Sequence, residues 1–383
     1  MDYDFLIIGA GIAGAGAAFE LTEAAPGARI AVVEREDTAG YHATGRSAAL
    51  FVETYGGPLI RALVRGSRSF METPPVGFAE YPLLSTRGVL HFAREGQRQR
   101  AEQLFADCRN LTRDLRLVEA GEIADLQPAL RSGYAVCAVH EPHAMDIDVG
   151  ALHQGFLRGF KARGGRLITG AGVRAIERQN GRWRIQTAAG HLTAGTVVNA
   201  AGAWADEFAA AAGIAPLGLV PKRRTAITFD PPGGMAVARW PMTIDVEESL
   251  YFKPEAGRIL ASPCDETPMP PSDAQPDEWD VAVAVDRLQE ATTLTVERIA
   301  HKWAGLRSFF ADKLPAVGPD TAEPTFFWLA GQGGYGIKTA PALGRMAAAL
   351  LTGREIPADL ADLGVTAVAL GPGRFAGHHG TER

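Results

Sequence analysis

A glycine cluster, one acid and two isolated arginines are the residues of this chain whose types and spacing point to chemistry. Gly9-x-Gly11-x-x-Gly14 follows the apolar run Phe5-Leu6-Ile7-Ile8 and opens the Ala-rich stretch Ile12–Glu23. Arg29–Glu34 (RIAVVE) then ends in an acid twenty residues after Gly14. The order is strand, glycine turn, helix, strand. Gly9 and Gly11 suit a tight turn that brings backbone close to a pyrophosphate. Gly14 suits close helix–strand packing, and Glu34 suits ribose hydroxyls. A pyrophosphate there would sit on a helix N-terminus. These residues predict an ADP-containing cofactor.

Arg224 and Arg307 lie in apolar segments, where an unpaired guanidinium is costly. Each offers the forked donors that match a carboxylate. They read as a clamp for an acidic group, with structural ion pairs as the alternative. Arg223 adjoins Arg224, and along a strand the two face opposite ways. Cys108, Cys137 and Cys264 are far apart with no CxxC pair, which argues against a thiolate metal site or a disulfide scaffold and suggests a reducing compartment. No metal is expected. A net charge of −6 without a basic run argues against nucleic acid. No apolar stretch approaches the roughly 20 residues of a membrane span. The N-terminus, with Asp2 and Asp4, reads as a working strand and not as a signal peptide. The expected location is cytoplasmic, with peripheral contact at the inner membrane left open.

The elements that must position these residues recur along the chain. Asp148–Arg163 has helical spacing, with Asp146 or Asp148 as N-cap. Strands are predicted at Arg166–Thr169, Val173–Arg178 and Arg182–Thr187. Thr196–Trp204 (TVVNAAGAW) reads as a strand running into small residues. Phe326–Ala330, the glycine-rich turn at 331–336 and a helix over Ile337–Leu351 repeat the opening theme. Residues 1–80, 145–215 and 300–383 are therefore assigned to a cofactor domain. Residues 81–144 and 216–299, with their alternating strands and the Pro/Asp-rich connector Thr267–Asp280, are assigned to an inserted substrate domain.

Gly40–Ala49 (GYHATGRSAA) favours FAD over NAD, because turn-forming hydroxyls and amides follow the ribose-binding acid. With TVVNAAGAW and GQGGYGI it spreads the cofactor contacts over four segments. The order resembles the D-amino-acid oxidase/glycine oxidase/sarcosine oxidase superfamily of flavoenzymes. The similarity is strongest to the bacterial FAD-dependent D-arginine dehydrogenases, through PLGLVPKRR (216–224), ESLYFKP (248–254), WAGLRSF (303–309) and GQGGYGI. The resemblance implies an α/β fold, with a doubly wound, Rossmann-type FAD-binding domain and an inserted α+β substrate domain built on an antiparallel-rich sheet.

It also implies roles. Gly9, Gly11, Ala13 and Gly14 would hold the pyrophosphate, with Glu34 and Arg35 at the adenosine and Val173 at the adenine. Thr44, Gly45, Arg46, Ser47, Ala48 and Ala49 would line the isoalloxazine and ribityl chain, with Leu50 beside them. Gly202 and Trp204 would lie beneath the cofactor. Gly334, Tyr335, Gly336, Ile337, Lys338 and Thr339 would reach the flavin pyrimidine edge, where a helix N-terminus stabilises negative charge. Lys338 would add a full charge there, or is a solvated helix residue. The FAD should be non-covalent, since no cysteine follows Cys264.

The implied reaction is oxidative deamination of a D-amino acid, by hydride transfer from Cα to flavin N5. It gives a 2-oxo acid and ammonia through an imine, and passes electrons to an acceptor the sequence does not name. Arg224 and Arg307 would clamp the carboxylate, and Tyr55 and Tyr251 would supply hydroxyls. No general base is needed, and His42, His91 and His301 are not nominated. The D-arginine enzymes carry a glutamate for the guanidinium in a loop matching Leu84–Phe92, which here reads LSTRGVLHF without an acid. Leu50 replaces a pocket histidine. Val52, Met242, Ile244, Ile337 and Gly334 complete an apolar cup, which predicts neutral or hydrophobic side chains; Glu53 and Glu80 are the nearest acids in sequence. A flavin amine oxidase acting on a secondary amine such as sarcosine or a proline derivative, and a flavin-binding electron-transfer subunit, are the alternatives.

Overall fold

The computed structural model describes residues 1–376; residues 377–383, the end of the segment assigned to the cofactor domain, lie outside the described residues. Its first sheet has a parallel centre ordered Arg166–Ile168, Ile30–Val33, Asp2–Ile8, Gly190–Asn199 and Phe326–Ala330. Ala316–Pro319 adds an antiparallel strand outside Phe326–Ala330. The first half of Gly190–Asn199 pairs instead with Arg182–Thr187, and that strand with Val173–Gln179, as an antiparallel meander. Both faces of the parallel centre are covered, which is why its strands read as unbroken apolar runs. Ile7, Val32, Val198 and Leu329 pack on the helices Ile12–Ala24, Val149–Ala162 and Gly336–Leu351. Leu6, Ile8, Val33 and Trp328 pack with Trp183, Ile185 and Phe208 on the other side.

The opening turn depends on missing side chains. Gly9 has φ +101°, and a Cβ there would meet the Ala200 carbonyl oxygen at 2.4 Å. A Cβ on Gly14 would lie 2.0 Å from the Gly9 carbonyl oxygen, so any larger residue would part helix from strand. Asp148 caps its helix by accepting from the Ala151 amide at 2.7 Å. Asp146 is not the cap; it pairs with Lys253 and Arg87.

The second sheet runs Ile299–Phe309, Val220–Phe229, Arg258–Ser262, Tyr251–Glu255, Met242–Asp245, Val89–Ala93, Cys137–Glu141, Arg116–Glu119. All its pairs are antiparallel except Met242–Asp245 with Val89–Ala93. Strand alternation sorts its two faces. Ile227, Phe229, Phe252 and Ile259 pack beneath helix Glu278–Ala291. Arg224, Met242, Ile244 and Tyr251 face a cavity between the two sheets. A three-stranded sheet of Leu50–Phe51, Met145–Ile147 and Leu84–Thr86 bridges them.

One boundary read from sequence needs correction. Ile299–Phe309 pairs along its length with Val220–Phe229, so residues 300–309 belong to the second sheet and not to the cofactor segments. Its alternation would suit either sheet, and only the distant partner decides.

Candidate active site

A cavity of about 560 Å³ runs the length of the interface between the sheets. Glu34, Arg35, Val173, Gly202 and Trp204 line one end. Glu34 accepts the Ala10 amide at 2.8 Å and the Glu36 amide at 3.0 Å, fixing the acid beside the glycine turn. The Arg35 guanidinium lies over the Trp204 ring at 4.1 Å, and the His42 ring is tilted against the same ring, centroids 4.8 Å apart. Next come Gly9, Gly11 and Ala13. Helix Ile12–Ala24 begins here with no acidic residue in its first turn and no capping side chain at Gly11. Thr44 Oγ1 accepts the Ile12 amide at 3.0 Å, but the start of the helix otherwise faces the cavity. That arrangement fits a pyrophosphate.

Arg46, Ser47, Ala48 and Ala49 line the middle. Arg46 donates to the Ala274 and Ala304 carbonyls and pairs with Asp273, so the Pro-rich connector is strapped across the cavity. Gly14, Gly45, Tyr335 and Thr339 do not line it. Gly14 packs beneath the turn, and Gly45 makes its own turn, its amide donating a hydrogen bond to the Gly40 carbonyl. Tyr335 turns its ring to Tyr55, and Thr339 returns its hydroxyl to the Tyr335 carbonyl.

The far end holds the apolar cup and the arginines. Leu50, Val52, Met242, Ile244 and Ile337 line it with Tyr55 and Tyr251. Register explains the arginines: Arg307 lies opposite Lys222 and Arg224 opposite Gly305 on paired strands, so the two guanidinium stems share one face, one diagonal step apart. Arg223 points the other way, into Asp280 at 2.7 Å. Arg224 donates to the Asp265 carbonyl at 2.9 Å and to Glu266 at 3.3 Å. Arg307 differs. Among the described residues it makes no salt bridge and no hydrogen bond to protein, and Gly334 leaves it room, since a Cβ there would lie 3.0 Å from Nη1. Burial works against its charge, but Tyr55, Tyr251, Cys264 and Glu248 outweigh that and hold its pKa above the usual arginine value.

Three neighbours were not legible in sequence, or were left open there. The Tyr55 hydroxyl donates to Glu248 Oε2 at 2.8 Å, which places an acid beside a pocket expected to lack one. Burial raises the Tyr55 phenol well above its ordinary range, so it stays a neutral donor. Neither acid nearest in sequence reaches the pocket: Glu53 pairs with Arg68 at 2.6 Å, and Glu80 is exposed. His91 lines the cavity and meets Thr54 Oγ1 at 2.9 Å; burial, then Lys338 and Arg61, push it down to about 3, so it is neutral. Lys338 is not solvated. It is 4% exposed and lines the cavity. Burial pushes its pKa down to about 7 against the pull of Glu141 and Glu248, with Arg307 and Arg61 adding to the fall.

The model of the family described as DAO, FAD dependent oxidoreductase, matches residues 4–350. The chain belongs to that family. Its cofactor is FAD. Among DAO relatives, glycine oxidase from Bacillus licheniformis is 24% identical, over 92% of this chain and 94% of that protein. Mitochondrial dimethylglycine dehydrogenase from Mus musculus is 26% identical over 64% of this chain and 30% of its own length. The chain thus spans well under half of the first curated relatives it matches. The fold is shared with L-proline dehydrogenase from P.horikoshii, with TM-score 0.81 and 23% identity over 100% of this chain and 99% of that one. No helix among the described residues is long and apolar enough to cross a membrane, and no cluster of metal-ligating side chains occurs among them.

Proposed function

We propose that this DAO-family chain is an FAD-dependent D-amino-acid dehydrogenase that favours neutral, hydrophobic side chains. The observation that carries the reading is Arg307: a buried guanidinium with no salt bridge or hydrogen bond to protein among the described residues, facing a cavity beside an apolar cup. Such a group calls for an anionic ligand. The α-carboxylate of an amino acid meets that need, with Arg224 as the second arm of the clamp.

Gly9, Gly11 and Ala13 would hold the pyrophosphate of FAD, Glu34 and Arg35 its adenosine, and Val173 its adenine. Thr44 and Arg46–Ala49 would follow its ribityl chain, and Gly334, Gly336, Ile337 and Lys338 its pyrimidine edge. The bound flavin supplies a hydride acceptor. The residues of the chain orient. Arg307 and Arg224 fix the carboxylate, and Tyr55 and Tyr251 present hydroxyls to the polar end of the substrate. Leu50, Val52, Met242, Ile244 and Ile337 exclude water from the side chain. No side chain here must remove a proton from Cα, because holding the deprotonated amine in the reactive orientation suffices. The resulting imine would hydrolyse to a 2-oxo acid and ammonia.

The likeness to the D-arginine dehydrogenases remains part of this proposal for the scaffold, while the cup argues for uncharged side chains. Relatives named for glycine and dimethylglycine favour a second reading, an N-alkylated amine such as sarcosine or proline, or glycine itself, next to a carboxylate that the same clamp would hold. Anaerobic mixing with D- and L-amino acids, sarcosine and proline, read as flavin bleaching at saturation, tests both. Bleaching by hydrophobic D-amino acids supports the first reading. Bleaching by sarcosine or proline alone replaces it with the second, and no bleaching by any of them removes both.

A further inference from the structure

Residues 52–55 are held through their backbone by two buried ionisable side chains, a lysine and a glutamate, whose charged forms burial disfavours. Lys338, in the first turn of helix Gly336–Leu351, donates from Nζ to the carbonyl oxygens of Val52 and Tyr55, each at 3.2 Å. Glu141, at the end of strand Cys137–Glu141, accepts from the amides of Glu53 at 3.0 Å and Thr54 at 3.2 Å. It also accepts from Thr54 Oγ1 at 2.6 Å. The lysine and glutamate are 4% and 1% exposed. Neither forms a salt bridge among the described residues, so each polar head is answered chiefly by the backbone that runs between them. A buried charge without such compensation is strongly disfavoured. The rings of Tyr55 and Tyr335 add aromatic faces 4.8 and 5.6 Å from the ammonium.

The held segment is the one that shapes the pocket. It carries Val52 and Tyr55, and Thr54 Oγ1 passes the contact on to His91. Lys338 belongs to the helix at the cofactor side and Glu141 to the second sheet. We propose that Lys338 and Glu141 form one brace, joined through the backbone between them, that positions Val52 and Tyr55 at the substrate pocket, with Lys338 as a positioning residue. The inference rests on the proposed function only in calling that end of the cavity a substrate pocket; its test needs no substrate. The other ionisable groups facing Lys338 are Arg61 from helix Pro58–Glu72, Arg307 from the second sheet, Glu248 from a turn, and His91, which is neutral.

Hydrogen exchange of the FAD-loaded protein, resolved by peptide, tests the pair. In Lys338→Met and in Glu141→Gln, peptides covering residues 50–57 should exchange about tenfold faster or more, while those covering Val220–Phe229 and Phe326–Ala330 keep wild-type rates. The double variant should exchange no faster there than the quicker single variant, because either change already breaks the unit. Wild-type protection of residues 50–57 in Lys338→Met overturns the proposal. So does a double variant whose acceleration is the product of the two singles, which would mean independent supports. If Lys338→Met does not fold, Lys338→Gln carries the same comparison, with faster exchange confined to residues 50–57 expected and wild-type protection overturning it.

Discussion

Replacing Arg307 by methionine should separate stability from catalysis. Among the described residues Arg307 forms no salt bridge to strand, though Glu248 favours its charge, and it shares its surroundings with Arg224 and Lys338. Methionine keeps much of the stem's volume and removes both the desolvation cost and the attraction of Glu248, so stability should change by about 1 kcal/mol or less. The loss should fall on the ligand. A carboxylate deprived of its charge-assisted pair in a desolvated site loses about 2–5 kcal/mol, which is roughly 30-fold to several thousand-fold in kcat/KM. Three measurements go together: the thermal midpoint, the FAD content, and the affinity for an unreactive carboxylate such as benzoate, read from the flavin spectrum. The midpoint and FAD content should hold while benzoate affinity and kcat/KM fall in parallel. An unchanged benzoate affinity would refute the clamp, and a collapse of the midpoint would show that Arg307 serves the fold.

Arg224→Ala should lower both kcat/KM and the thermal midpoint, because it also orphans the Asp265 carbonyl and weakens the hold on Glu266; an unchanged midpoint with lost activity would contradict its structural share. With each buried methylene worth about 0.8 kcal/mol, D-phenylalanine, D-methionine or D-leucine should exceed D-alanine and D-arginine in kcat/KM. A lead for D-arginine that Glu248→Gln abolishes would make Glu248 its acceptor and end the neutral-cup argument. Acid precipitation should release all the yellow FAD into the supernatant, since the buried Cys264 thiol is pushed up to about 12 and no cysteine follows it; colour retained in the pellet would disprove non-covalent binding. Glu20, whose carboxyl is raised to about 7 chiefly by burial and next by Glu23, holds a proton in the fold that the unfolded chain has lost, so its contribution to stability falls as pH rises from its unfolded value through about 7. Glu20→Gln should therefore stabilise the protein at pH ~8 by about 1 kcal/mol after solvent screening, and not at pH ~4; an equal effect at both would refute the assignment.

The readable residues were those whose identity the backbone dictates. Gly9 and Gly14 admit no side chain, and their spacing to Glu34 follows from one βαβ turn. Strand parity was enough to send Arg223 and Arg224 to opposite faces. What stayed hidden depends on distant partners or on the direction of a single side chain. Ile299–Phe309 has alternation that either sheet could use, and its partner lies some eighty residues earlier. Glu248 is aimed at Tyr55 from a turn in which it adopts φ +59°, and nothing in its neighbours announces that. Lys338 occupies a helix position that could face water or the interior, and the carbonyls that receive it come from a segment nearly three hundred residues away.

The place of Gly190–Asn199 also dictates an order of assembly. It sits between the first strand of the chain and Phe326–Ala330, pairing with both. A nascent chain can therefore form the opening glycine turn early, yet its parallel sheet stays an open edge until about residue 330 has left the ribosome. Through that interval the backbone edge at Val197–Asn199 lacks its final partner, the condition under which partly made chains aggregate. Shortening the chain before Phe326 should thus cost solubility even though every glycine of the cofactor turn is present.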